Sequence, residues 1–199
     1  MSKAENVLKS IEEIGKKQFI PSIGPIKGKI IAEIIKKHKP KCILEIGTLY
    51  GYSAILMANL VAGDNYGKVV TVEIDKAFAD IAKRNIQDAG FQEKTDIIVG
   101  NALEVIPRLS YKFDLLFLDA AKDEYLRYLN LAEAKNLIVK GDIVIADNVG
   151  VSKNEMLDYL DYVRNSGIYK SETIETMLEF TDDVKDAIEV STKVVQYRY

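Results

Sequence analysis

The sequence has little with which to build a soft-metal centre or a histidine-based hydrolase. In 199 residues it carries one cysteine and one histidine. A lone Cys42 cannot close an internal disulfide, and it stands in an apolar run where a small buried residue fits. His38 lies in a lysine-rich stretch that reads as solvated, so no histidine cluster is available for zinc and Ser-His-Asp chemistry is not expected. Also lacking are a signal-type apolar segment and any apolar span of about 18 residues, which excludes an evident export signal or membrane helix. The simplest expectation is a cytoplasmic chain. Nor is there an excess of one charge: 27 Lys and Arg stand against 30 Asp and Glu, a net of −3, so no global basic field recruits a polyanion. Internal repeats, low-complexity stretches and flexible linkers are absent as well.

What is present is apolar residue in quantity, 48% of the chain, enough for the core of one domain covering residues 1–199. Val7, Leu8, Ile11 and Ile14 recur at helical spacing, as do Ile26, Ile30, Ile31, Ile34 and Ile35. These predict two amphipathic N-terminal helices within residues 1–39, separated near Pro21 and Gly24-Pro25. Cys42–Ile46 then reads as a buried strand, followed by a helix opening at Gly51 and stopping near Gly63. The alternation repeats, with strands over Val69–Ile74, Asp96–Val99, Phe113–Asp119 and Asp142–Ala146 and helices over Lys76–Ala89, Leu103–Leu109 and Glu124–Val139. Strands apolar throughout and separated by helices predict a parallel sheet covered on both faces. Ser152-Lys-Asn-Glu155 has the capping-box pattern and predicts a helix running to about Gly167. Ser171–Thr176 and Ala187–Val195 are strand-like with no helix between them, so the second is expected to return antiparallel at the end of the sheet.

In open parallel sheets ligands bind beyond the carboxyl ends of the strands. Gly47 follows one such end, where a glycine lets backbone approach a ligand and the next helix offers free N–H groups. By itself this is an ordinary turn. Glu73 ends the next strand, where an acid can accept the hydroxyls of a ribose. The pair favours an adenosine-type ligand, and the G-x-x-x-G spacing favours one without a pyrophosphate. Asp119 and Asp147-Asn148 close two further strands. Three hard oxygen donors there suit Mg2+, although each residue separately also serves as a cap or turn former. Lys122, three residues after Asp119, can reach the same opening; a partly buried lysine flanked by a cation can act as a general base, and a solvated surface lysine is the alternative.

Taken in order, Leu-Glu-Ile-Gly-Thr-Leu-Tyr-Gly-Tyr-Ser53, Val-Glu-Ile-Asp75, Val-Gly-Asn101, Leu-Asp-Ala-Ala-Lys-Asp-Glu-Tyr125 and Ala-Asp-Asn-Val149 resemble the cation-dependent O-methyltransferases, among them catechol and caffeoyl-coenzyme A O-methyltransferases. The similarity runs from about Ser22 to Val195. It implies an α/β, Rossmann-like methyltransferase fold: a seven-stranded, mostly parallel sheet with the last strand antiparallel and helices on both faces. It further implies that Ile23, Glu45, Gly47, Ser53, Glu73 and Asp119 line an S-adenosylmethionine site with Ala102 beside the adenine. By the same resemblance Asp119, Asp147 and Asn148 hold Mg2+ or another divalent cation, and Lys122 is the catalytic lysine. The acceptor would be a small hydroxylated, catechol-like molecule, the assembly a homodimer, and the N-terminal helices a lid or its interface.

The sequence departs from that pattern in places. Ala121 stands where catechol O-methyltransferase has a tryptophan, and Leu103 where it has a glutamine, removing a stacking partner and a polar contact for adenine. Ile188 aligns with an acid that holds the second catechol hydroxyl; Asp186 or Glu189 replaces it only if the register slips. Asn148-Val-Gly-Val-Ser152 is expected to enter its helix at once, leaving an open acceptor pocket. Competing readings are methylation of a hydroxylated uridine in tRNA, supported locally by Lys36, Lys37, Lys39 and Lys41, a nicotinamide-dependent oxidoreductase, and a non-catalytic binding module.

Overall fold

A computed structural model describes residues 2–18, 20–61 and 67–195. Two helices come first, α1 (Lys3–Lys17) and α2 (Gly24–His38). A Ser2–Glu5 capping box starts α1, each side chain taking the other's backbone N–H. Strand β1 (Cys42–Ile46) leads to α3 (Tyr52–Val61), β2 (Lys68–Glu73), α4 (Lys76–Ala89), β3 (Thr95–Val99), the short α5 (Ala102–Val105) and β4 (Leu115–Leu118). Then follow α6 (Tyr125–Ala134), β5 (Ile143–Ala146), α7 (Leu157–Asn165), β6 (Tyr169–Met177) and β7 (Lys185–Lys193). Gly63, where the third helix was expected to stop, lies outside the described residues.

The seven strands form one sheet in the order β3-β2-β1-β4-β5-β7-β6. β1 to β5 pair in parallel, whereas β7 runs antiparallel to both β5 and β6. The antiparallel return is therefore as expected, but it lies inside the sheet instead of at its end. Burial explains the placement. Ala187 and Ile188 of β7 are buried, while β6 exposes Lys170, Glu172 and Glu175 and so suits an edge, where charge discourages further pairing.

Side chains alternate between two cores. Leu44, Leu116, Leu118 and Val144 pack beneath α5, α6 and α7; Ile43, Leu115, Phe117 and Ile145 pack beneath α1 to α4. All eight are buried on a sheet covered on both faces, which is why the central strands read as continuous apolar runs.

The capping box expected at Ser152 does not form. Its side chain makes no cap bond, its N–H is tied to the Asn148 carbonyl, and a single tight turn over Lys153–Glu155 precedes α7. The chain after β5 is thus a loop of its own from Asn148 to Met156, not an immediate helix start.

Candidate functional site

Beyond the carboxyl ends of β1, β2, β4 and β5 lies a cavity of about 390 Å3. The turn after β1 forms its floor. Gly47 has φ +100°, and a Cβ there would stand 2.0 Å from the Asp119 carbonyl oxygen, so only glycine fits between β1 and β4. Glu73, ending β2, accepts from Thr48 N–H at 3.1 Å and Leu49 N–H at 2.8 Å with one oxygen, and from Asp75 N–H at 2.9 Å with the other. This carboxylate therefore shapes the turn as well as facing the cavity; the oxygen that takes the Asp75 N–H keeps a further lone pair for a ligand hydroxyl.

Ile23, Gly47, Ser53, Glu73, Ala102 and Asp119 line the cavity together with Lys122 and Asn148. Two expected site residues do not reach its surface. Glu45 lies fully buried beneath the turn, because residues at alternate positions of β1 face opposite sides of a sheet that is covered on both. Its Oε2 accepts from Thr71 Oγ1 at 2.5 Å and its Oε1 has no hydrogen-bond partner. Burial pushes its carboxyl up to about 8, against the hydrogen bonds from Ser53 and Thr71. Asp147 is likewise buried and turned toward α2, where Lys27 Nζ lies 2.7 Å from Oδ1 and 2.9 Å from Oδ2. Burial, and then the charge of Asp119, raise Asp147 to about 6; Lys27 and Lys122 oppose the rise.

Lys122 sits in a tight turn, Lys122–Glu124, with Asp119 beside it. Its Nζ donates to Asp119 Oδ1 at 3.0 Å and to the Tyr125 hydroxyl at 2.8 Å. The Tyr125 hydroxyl in turn meets the Asp147 carbonyl at 3.4 Å. One short chain of contacts thus joins the ends of β4 and β5.

Ala121 lines the cavity, whereas Leu103 packs into the core beneath α5. Aromatic rings line it that the sequence reading did not single out: Tyr50, Tyr52, Phe78 and Tyr128, with Tyr50 and Phe78 at a centroid distance of 5.9 Å. Phe78 lies one turn into the helix after Glu73, a position that a search around that strand tip could have picked. The connection between α1 and α2 supplies Pro21, Ser22 and Ile23 to the wall. Tyr52, with its hydroxyl donating to Glu12 at 2.7 Å, ties α3 to α1.

A family model described as O-methyltransferase matches residues 2–187, and this chain belongs to that family. It is an S-adenosylmethionine-dependent O-methyltransferase by class. Catechol O-methyltransferase of Mus musculus is 34% identical over 182 residues, covering 88% of this chain and 67% of the relative. Catechol O-methyltransferase B of Danio rerio is 34% identical over 196 residues, covering 94% and 71%. Among solved structures, the O-methyltransferase from Bacillus cereus in complex with SAH superposes with a TM-score of 0.81 at 25% identity, covering 96% of this chain and 90% of that one. The fold alone is shared with TomG from Streptomyces achromogenes, TM-score 0.82 at 23% identity over 95% and 90% of the chains. The expectations of family and sheet are borne out, and the oxidoreductase reading falls away. Among the described residues no helix is long and apolar enough to cross a membrane.

Proposed function

We propose that the cavity binds S-adenosylmethionine and, beside it, a divalent cation, and that the chain methylates one hydroxyl of a small catechol-like acceptor. The observation that carries this reading is that Gly47, Glu73, Asp119, Lys122 and Asn148, from four different strand ends, face one cavity. Similarity to two proteins named catechol O-methyltransferase supports the acceptor class.

The donor set fits a hard cation. No cluster of three His, Cys, Asp or Glu side chains occurs among the described residues, so the set is two carboxylates and an amide, Asp119, Asp147 and Asn148. All donors are oxygens, as Mg2+ prefers, and so small a set leaves positions for water and acceptor oxygens. Asp147 Oδ1 is buried and receives no well-directed hydrogen bond, despite its ion pair with Lys27. When bound, the cation would supply Lewis acidity to an acceptor hydroxyl and the cofactor an electrophilic methyl carbon.

The protein's own part is positioning and proton handling. Gly47 lets the turn approach the cofactor, Glu73 accepts a ribose hydroxyl, and Ile23, Ser53 and Ala102 shape the wall. Lys122, once its own proton has passed to solvent and its Nζ has left Asp119, would accept the proton of the acceptor hydroxyl. The link over Pro21 to Ile23 covers the cofactor, giving the N-terminal helices the role of a lid. At the position of the acid that would clasp a second hydroxyl Ile188 is in the core, and the two neighbouring acids are engaged elsewhere: Asp186 is bound to Lys27, and Glu189 faces α7, where it pairs with Arg164. The acceptor is therefore gripped through one hydroxyl and the ring walls. The lysines that favoured tRNA lie in the last turn of α2 and between it and β1, at the opposite end of the sheet from the cavity.

Calorimetric binding of S-adenosylhomocysteine, with methyl transfer to catechol followed with and without EDTA, tests the reading. We expect binding, transfer abolished by EDTA and by Asp147→Ala, and a loss of 100-fold or more in kcat for Lys122→Met with cofactor affinity kept. Transfer that survives both EDTA and Asp147→Ala overturns the metal-assisted mechanism. Light scattering reads the homodimer that completes the proposal.

A further inference from the structure

Behind the strand tips lies a polar cluster to which no role has yet been given. Asp186, at the start of β7, is buried with Lys27 from α2, which is 1% exposed. Asp186 Oδ1 accepts from Gly150 N–H at 3.1 Å and Val151 N–H at 3.0 Å. Its Oδ2 accepts from Asn148 Nδ2 at 2.9 Å and lies 2.6 Å from Lys27 Nζ. Lys27 holds both oxygens of Asp147. The loop is wound closely on this carboxylate: Asn148 has φ +61°, and a Cβ on Gly150 would stand 2.8 Å from the Asp186 backbone.

We infer that Asp186 and Lys27 are positioning residues for the cation site, setting which atom of Asn148 faces the cavity and how Asp147 is turned. The inference rests on the reading of Asp119, Asp147 and Asn148 as cation ligands. Its core is donor and acceptor logic. An ionised carboxylate only accepts, so the Asn148 group that meets Asp186 must be the NH2. The amide carbonyl is thereby left to point away from Asp186, into the cavity that Asn148 lines, and only the carbonyl can ligate a cation. Lys27, with three donors and no acceptor, holds Asp147 and Asp186 side by side, where two bare carboxylates would repel. A buried ion triad is a poor way to add stability, since apolar residues of similar size often serve as well. Orienting a ligand is a task apolar residues cannot perform.

Asp186→Asn is the informative change. Asparagine can still accept both loop N–H groups through its oxygen, but its NH2 then meets the NH2 of Asn148. The Asn148 amide must turn over and present a donor to the cavity. Mn2+ titration of the full chain, read by the EPR signal of the free ion, should show affinity lowered ten- to a hundredfold, the usual cost of losing a group that orients a metal ligand. S-adenosylhomocysteine affinity measured without metal should stay within about threefold. The double variant Asp186→Asn with Asn148→Asp reverses the donor and acceptor of the contact at constant charge, and should bring Mn2+ affinity back to near that of the unmodified chain. Two results overturn the inference: Mn2+ affinity within twofold of the unmodified chain in a folded Asp186→Asn, or a folded double variant that binds no better than Asp186→Asn. Should the single variant not fold, a folded double variant with native-like Mn2+ affinity supports the inference, and one that binds a hundredfold more weakly overturns it. Failure of the unmodified chain to take up Mn2+ overturns the cation site itself, and this inference with it.

Discussion

Replacing Glu45 by glutamine should make the protein more stable, and increasingly so as the pH rises. The side chain is fully buried, one oxygen lacks a partner, and burial moves its carboxyl from an ordinary 4.5 to about 8. A carboxyl raised in the folded state keeps its proton there while the unfolded chain has lost it. Its contribution is therefore fully present below pH 4.5, declines as the pH rises, and levels off above about 8. At 1.36 kcal/mol per pH unit the whole span amounts to roughly 4–5 kcal/mol, of which about 3–4 kcal/mol falls between pH 5 and pH 9. Glutamine carries no charge at any of these pH values and can still accept from Thr71. Urea unfolding of both proteins at intervals from pH 5 to pH 9 gives two curves whose separation cancels every other titrating group. The separation should widen by about 3–4 kcal/mol in favour of Glu45→Gln across that range. Curves that stay parallel within 1 kcal/mol, on the order of the method's error, would refute the claim that burial, not pairing, governs this carboxyl.

Two further outcomes follow from the same geometry. Gly47→Ala places a methyl group 2.0 Å from the Asp119 carbonyl at a φ of +100°, and should cost on the order of 3 kcal/mol or more, seen as a thermal transition lowered by at least several degrees; a melt like that of the unmodified chain would show that β1 and β4 can separate freely. Because Asp147 protonates near pH 6, Mn2+ affinity should change little between pH 8 and pH 7 and fall by up to about tenfold per unit below 6; constant affinity down to pH 5 would remove Asp147 from the ligand set.

How far the sequence spoke for the structure depended on whether the information was local. The strand tips were legible because buried parallel strands are largely apolar, so the glycine or acid that closes each marks an end: Gly47, Glu73, Asp119 and Asp147. The helix over Lys76–Ala89 was legible because its caps, Asp75 and Gly90, adjoin it. Lys27 and Asp186 were not, since each makes its contacts with residues far along the chain, and a lysine in an amphipathic helix reads as solvated until the partner that buries it is known. Ser152-Lys-Asn-Glu155 misled for the complementary reason. Its local pattern is genuine, but the Asn148 carbonyl and the Asp186 carboxylate take the loop's N–H groups first.

The start of α2 carries a consequence for how the chain matures. Its capping position, Ile23, offers no side-chain bond, and the free N–H groups of Ile26 and Lys27 are taken by Glu179, 153 residues further on in the case of Ile26. During synthesis the helix must wait with an unfinished end until the β6–β7 hairpin exists. Contacts of such separation form late, because the entropy of closing a long loop must be met before they contribute. The segment over Pro21 to Ile23 that walls the cofactor cavity therefore gains its final shape only when the hairpin docks. A nascent or C-terminally shortened chain would hold much of its parallel sheet and still lack a finished cavity.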